Sequence, residues 1–275
     1  MIISNTHRFA FVHVPKCAGT TVRHPLQAFD DCNGAHTGRV GDHPVLGNLD
    51  YVHIPLFTLR DHFKEEFRAV TDYWSFVVVR DPFARFASSV SQRLKRYSAK
   101  PIHRSNLGDI TKVIAESIDY LSRQPRCNHR LPPEYIHFQK QIDYIELDGE
   151  QIVNSLYTVD DVDKLLEEVG QRVGRSLGQS SQAGGAQPRA NQSIVFRNDF
   201  LRWVIETARP LSNQVSRLLP EGAKQRVRDQ IYIPRDQRMK DLFAADYVQD
   251  FIRDYYAEDI ALYKKISHHG QVAAS

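Results

Sequence analysis

Cysteine is scarce in this chain. Its three residues, Cys17, Cys32 and Cys127, lie far apart and form no CxxC pair. That excludes a disulfide framework and a zinc site of the usual spacing, and a reducing, cytoplasmic setting is the expectation. No stretch reaches the ~18 consecutive apolar residues needed to span a bilayer. The N-terminus has no basic run leading into an apolar segment, so neither a leader nor a membrane span is expected. A strong charge of one sign is also missing. The formal net charge of +3 is too small for a nucleic-acid-binding face and suits one local anion site better. The ATP/GTP loop GxxxxGK[ST] is absent, and no internal repeat is visible.

What is present is an ordinary globular composition, 41% hydrophobic and 25% charged over 275 residues, read as one domain over 1–275. Phe9 to Val14 (FAFVHV) and Trp74 to Val79 (WSFVVV) are short apolar runs of β-formers, as expected of buried strands. Tyr51 to Ile54, Ile142 to Leu147 and Ile152 to Val159 read as further strands. Helices are predicted over Gly19–Phe29, Thr58–Phe67 with Thr58 as N-cap, 83–97, 108–123, and from a cap at Asp160 to about Gly170. Residues 30–49 read as an irregular loop. Residues 174–193 are rich in Gly, Ser, Gln and Ala and read as a flexible surface loop. The chain then turns mostly helical, closing with Tyr247–Ile266 before a polar, disordered tail over 267–275. Strands alternating with helices predict an α/β domain: a central parallel sheet flanked by helices, like P-loop nucleotide-binding proteins, with a mostly helical C-terminal part. In such sheets, ligands bind at the carboxyl ends of the strands.

Two segments at such ends carry chemistry. The first is Pro15-Lys16-Cys17-Ala18-Gly19-Thr20-Thr21. Gly19 lets a ligand approach the backbone. The N–H groups of Gly19, Thr20 and Thr21 at a helix start can hold an anion. The threonine hydroxyls add donors, and Lys16 adds a mobile positive charge. The pattern by itself leaves open a plain strand-to-helix turn capped by Thr20. The second segment is Arg80-Asp81-Pro82-Phe83-Ala84-Arg85-Phe86-Ala87-Ser88. Arg80 ends a strand, where a guanidinium can grip a phosphate with two hydrogen bonds. Ser88 follows two helical turns on, and Arg85 is placed to pair with a carboxylate. Alone, this segment reads equally well as an Arg-Asp-Pro turn leading into a surface helix.

Taken together, HVPKCAGTT and RDPFARFAS resemble the two nucleotide-binding elements of the sulfotransferases that use 3′-phosphoadenosine 5′-phosphosulfate (PAPS), particularly the carbohydrate-type group. Gln141-Ile142-Asp143-Tyr144-Ile145 and Tyr256-Ala257-Glu258-Asp259-Ile260-Ala261-Leu262-Tyr263 are also similar to that group. Residues 170–235 match nothing in it. The resemblance implies that Lys16, Cys17, Ala18, Gly19, Thr20 and Thr21 surround the 5′-phosphosulfate, with Lys16 also acting in catalysis. It implies that Arg80 and Ser88 hold the 3′-phosphate and that 3′-phosphoadenosine 5′-phosphate (PAP) is the product. Cys17 departs from the family's more usual threonine. No metal is expected, since Lys16 and the helix start can neutralise the charge. The expected acceptor is a hydroxyl of a saccharide or another small molecule. A nucleotide kinase and a nucleotide-binding module without chemistry are the rival readings.

Transfer to a hydroxyl requires a base, and histidine suits the task. Of the 12 histidines, His53 stands out. It lies in Tyr51-Val52-His53-Ile54-Pro55, and the resembling family often places its base in such a His-x-Pro context. His43, also followed by proline, is the second candidate. His13 reads as structural, and His137 as a residue that could line an acceptor cleft. The basic residues Arg93, Lys95, Arg96, Lys100, Arg104 and Arg126 read as a solvated face, with attraction of an anionic saccharide left open.

Overall fold

The computed structural model describes residues 1–38, 40–97, 107–177, 194–196 and 232–272, with side chains left aside in 194–196, 232–239 and 268–272. Its centre is a four-stranded sheet made from Ile2–Ser4 (β1), Phe9–Phe11 (β2), Trp74–Val79 (β5) and Ser155–Thr158 (β8), in the spatial order β1-β2-β5-β8. β2 pairs parallel with β5 (Phe9 opposite Trp74), and β5 parallel with β8 (Val79 opposite Thr158). β1 is antiparallel to β2, with Ile2 opposite Phe11. The expected α/β class holds, with a mostly parallel sheet. β1 was not foreseen. Ile2 and Ile3 are buried beside the longer apolar run, and a three-residue strand leaves no periodicity to read.

Around the sheet run Gly19–Leu26 (α1), Leu56–His62 (α2), Lys64–Asp72 (α3), Pro82–Tyr97 (α4), Leu107–Ser122 (α5) and Val162–Val173 (α6). The C-terminal part adds Arg235–Ala244 (α7), Asp246–Tyr255 (α8) and Ala257–Val272 (α9). Apolar side chains divide between two buried clusters. One lies on the sheet and contains Phe9, Phe11, Phe76 and Val77. The other joins α4, α5 and α8 through Phe86, Ile114, Phe138 and Ile252. Among the described residues no helix is long and apolar enough to cross a membrane.

Several local expectations are corrected. Residues Tyr51–Ile54 form a turn, not a strand. The Asp50 carboxylate accepts the Val52 N–H at 3.0 Å, and its carbonyl accepts from His53 at 3.3 Å; this side-chain turn outcompetes extension. Ile142–Tyr144 is a 3-10 turn, and only Glu146–Leu147 (β6) extends, pairing with Glu150–Gln151 (β7). Strand β8 is confined to 155–158. The loop 30–49 contains a hairpin, Gly41–His43 (β3) and Gly47–Leu49 (β4). Thr58 is buried inside α2, which begins after Pro55 and breaks at Phe63. Asp160 caps nothing; Thr158 and Asp161 form a reciprocal capping box ahead of α6. The closing helix is two helices that meet at Tyr256. Of the flexible loop expected over 174–193, residues 178–193 lie outside the described residues. α9 extends to Val272, into the stretch read as a tail, and the last three residues lie outside the described set.

Two buried contacts fix the elements that matter below. Asp259, on α9, accepts the backbone N–H groups of Gln141 (2.9 Å) and Ile142 (3.0 Å), which starts the 3-10 turn. It also meets the Arg85 guanidinium of α4 at 3.4 Å. Arg85 donates further to the carbonyls of Gln139 (2.9 Å) and His137 (3.3 Å). Burial raises the Asp259 carboxyl's pKa, against the pull of Arg85 and the two backbone donors. The second contact is steric. A Cβ on Gly19 would fall 1.6 Å from Nε2 of His13, so the first residue of α1 must lack a side chain for His13 to pack there.

Removing Asp259 leaves Arg85 as a buried, unpaired charge and orphans two N–H groups. Asp259→Ala should therefore lower unfolding free energy by about 3–5 kcal/mol, read from urea unfolding at constant m; a loss under about 1 kcal/mol would remove the network from the structural account. Gly19→Ala should cost about 1–3 kcal/mol by overpacking. Adding His13→Ala should recover most of that loss in a double-mutant cycle, and additive losses would refute the proposed clash.

Candidate functional site

Strand β2 delivers the chain into Pro15–Thr21 at its carboxyl end, and β5 delivers Arg80 beside it. Lys16 (φ 66°) and Ala18 (φ 55°) are left-handed, a conformation unusual for residues with a Cβ. Their alternation with Cys17 turns successive N–H groups toward one side, as in anion-binding concavities. Ala18 occupies the N-cap of α1, and no side chain caps the helix. The alternative of a turn capped by Thr20 is thus not what the structure contains. Thr20 is exposed, and Gly19 is buried behind His13. One expectation changes: the Thr21 N–H is not unpaired but donates to the Ala18 carbonyl at 2.9 Å.

The Cys17 side chain turns inward. Its Sγ lies 3.2 Å from Oε1 of Gln141 and 3.4 Å from the Pro15 carbonyl, and burial pushes its thiol pKa up to about 12. Only its backbone can face a ligand. Gln141 also binds Arg80 at both backbone groups, accepting its N–H and donating to its carbonyl, each at 2.9 Å. One carboxamide thus clamps the loop after β2 to the end of β5. Lys16 closes the same gap from the other side, donating to Oε1 of Gln92 on α4 at 3.2 Å. Gln92 is one turn beyond Ser88. Lys16 is thus held against α4 one turn beyond Ser88, and the Arg80 backbone against the loop after β2.

Arg80 and Ser88 are both half-buried. Among the described residues the Arg80 guanidinium and the Ser88 hydroxyl have no hydrogen-bond or ion-pair partner. Their neighbours are engaged: Arg85 by Asp259 through its terminal nitrogen, and Ser89 by the carbonyls of Arg85 (3.0 Å) and His137 (2.6 Å). A cation and a hydroxyl left available next to turned-out amides form a site with the chemistry of a phosphate receptor.

His53 lies on the same side, through His13. The rings of His13 and His53 are 4.6 Å apart, and those of His53 and His137 5.4 Å. Nδ1 of His53 is 3.3 Å from the Asp50 carboxylate. That contact favours the charged imidazole. Burial lowers the His53 pKa and Asp50 pulls it back, leaving it below the ordinary 6.5. His13 is driven further down, first by burial and then by His53. Both rings are therefore held in the neutral, proton-accepting form. His43 stands elsewhere, in the β3–β4 hairpin. Its Nδ1 accepts the N–H groups of Val45 (3.2 Å) and Leu46 (3.1 Å), which gives it a structural task. Among the described residues no group of His, Cys, Asp or Glu is placed to hold a metal ion.

Asp50, Gln92 and Gln141 were not singled out as site residues from sequence. Gln141 sat in a stretch already matched to the resembling family, but neither its bridging role nor the Gln92 contact has a sequence signature. No curated protein and no solved structure matches the chain. The family model described as "Sulfotransferase family" matches residues 1–265. With a family match over nearly the whole chain, this protein is a member of the sulfotransferase family.

Proposed function

We propose that the protein transfers the sulfuryl group of PAPS to a hydroxyl of a carbohydrate or another small hydroxylated acceptor. The observation that carries this reading is the convergence of Lys16, the left-handed loop, Arg80 and Ser88, with Arg80 and Ser88 uncommitted to other described residues. The residues fit the donor. Lys16 and the amides around Ala18 and Gly19, with Thr20 and Thr21, face the 5′ end, and Arg80 with Ser88 forms the 3′-phosphate receptor. When bound, PAPS supplies an activated sulfuryl group with a phosphate leaving group. Lys16 and the loop amides neutralise charge developing on the leaving oxygen. His53 removes the acceptor proton at its neutral imidazole while Asp50 stabilises the imidazolium that forms. A cytoplasmic setting is part of the reading and rests on three cysteines that are all free.

Thermal shift with PAP, ATP and ADP separates this reading from a nucleotide kinase: PAP should stabilise the protein most, and a larger shift with ATP would favour the kinase. Arg80→Ala should weaken PAP by about 2–4 kcal/mol and leave adenosine 5′-phosphosulfate, which lacks the 3′-phosphate, unaffected. Equal losses for both ligands would remove Arg80 from that role.

His53→Ala should cut the transfer rate about 10²–10⁴-fold with little change in PAP affinity. Because the folded-state pKa of His53 lies below 6.5, the imidazole stays neutral until the pH falls past that point. The acid limb of kcat/KM should accordingly lie below pH 6.5. Asp50 raises the His53 pKa, so Asp50→Asn should move the limb to still lower pH. A limb that stays in place would uncouple the two residues.

A further inference from the structure

Pairing between β2 and β5 stops short of the two strand-end loops. Its last contacts are the Phe11–Phe76 pair and the Val12 N–H, which donates to the Phe76 carbonyl at 3.0 Å. β5 then continues against β8, with Val79 opposite Thr158. Among the described residues no backbone hydrogen bond joins 13–21 to 77–85. The sheet therefore does not fix the distance between Cys17 and Arg80, and side chains must. Gln141 is fully buried between them. Its Oε1 accepts the Arg80 N–H at 2.9 Å and lies 3.2 Å from the Cys17 Sγ, while its Nε2 donates to the Arg80 carbonyl at 2.9 Å. Arg80 offers an N–H and a carbonyl together, which fixes the carboxamide in one orientation.

The backbone N–H of Gln141 is held in turn by Asp259 at 2.9 Å, so the spacer itself has a fixed base. Burial keeps the Cys17 thiol protonated up to about 12, so it remains a donor across the working range. The contact from Lys16 to Gln92 at 3.2 Å is a weaker brace, because it runs through an ammonium on a flexible stem. Two receptors on separate loops act together only if their separation is held. A ligand that bridges both gains from the effective concentration of the second contact. When the spacing fluctuates, that ligand loses affinity in proportion to the time the spacing is wrong. A ligand that touches one loop does not feel the spacing.

We propose that Gln141 is a positioning residue for the donor: it holds the loop after β2 and the end of β5 at the separation that lets one nucleotide engage both. It thereby sets the preference for a nucleotide charged at both its 3′ and 5′ positions. Gln141 acts through Cys17 and the Arg80 backbone, and the proposal rests on the donor reading above. Gln141→Met keeps the side chain's length and removes its polar bonds. PAP, adenosine 5′-phosphosulfate and adenosine 3′-monophosphate are titrated calorimetrically into wild type and variant. PAP should lose about tenfold or more in affinity, and the two single-loop ligands less than about threefold. Equal losses for all three ligands make Gln141 a general structural support and overturn the proposal, as does an unchanged PAP affinity. Hydrogen exchange gives a readout without nucleotide. The Arg80 amide, which donates to Oε1 in wild type, should exchange about tenfold or more faster in Gln141→Met; an unchanged rate also overturns the proposal. Should Gln141→Met fail to fold, Cys17→Ala and Cys17→Ser carry the test. Serine keeps a donor toward Oε1 and alanine does not. The alanine variant should lose affinity for PAP alone, and the serine variant should retain it. No selective loss in Cys17→Ala, or the same loss in Cys17→Ser, overturns the proposal. A wild type that binds none of the three nucleotides refutes the donor reading. A wild type that prefers PAP, with a Gln141→Met variant that keeps that preference, refutes only the role of Gln141.

Discussion

A buried carboxylate with too many donors to ignore organises this molecule. Asp259 takes two adjacent backbone N–H groups and a guanidinium from two separate stretches of chain. An isolated charge in that position would be ruinous, and a charge so surrounded is tolerable only in one arrangement. The arrangement sets the start of the 142–144 turn and therefore the direction of the Gln141 side chain. Gln141 holds Cys17 on one side and both backbone groups of Arg80 on the other. The spacing of the two loops at the ends of β2 and β5 thus depends on a residue of the closing helix that touches neither loop itself.

The parts of the fold legible in the sequence are those with a strong local cause. WSFVVV followed by Arg-Asp-Pro admits little besides a buried strand, a turn and a helix whose first residue is proline, and β5 and α4 run accordingly. Tyr51–Ile54 and Ile142–Leu147 were misread because their apolar content suited strands, while the decisive partners were polar. One was Asp50, immediately before the first segment; the other was Asp259, 117 residues away from Ile142. The site divides in the same way. Lys16, Arg80 and Ser88 could be chosen because loops at strand ends carry recognisable spacing. Gln92 and the Asp50–His53 contact could not, because they exist only after α4 and the 50–53 turn have been placed.

Gly19 was chosen for room at the backbone, and the structure shows a different demand on it. A glycine at the head of a helix that follows a strand suggests room for a ligand, yet the space where its Cβ would stand is filled by the His13 imidazole. That ring in turn lies against His53. The helix start and the proposed base are therefore packed against a common side chain, so a shift in one is felt by the other. Interiors at native density transmit such displacements readily.

The distance along the chain between Arg85 and Asp259, 174 residues, also has a meaning in time. A ribosome adding about 5–20 residues per second needs roughly 10–35 s to cover that interval. Throughout it, the guanidinium destined for the interior of α4 has no counter-ion, and the turn at 142–144 has nothing to start it. The nascent chain can form its parallel strands early, while the two loops wait for the closing helix to leave the exit tunnel before they are held at a fixed separation. Until then, a chaperone or a protease meets a sheet whose two strand-end loops are not yet held together.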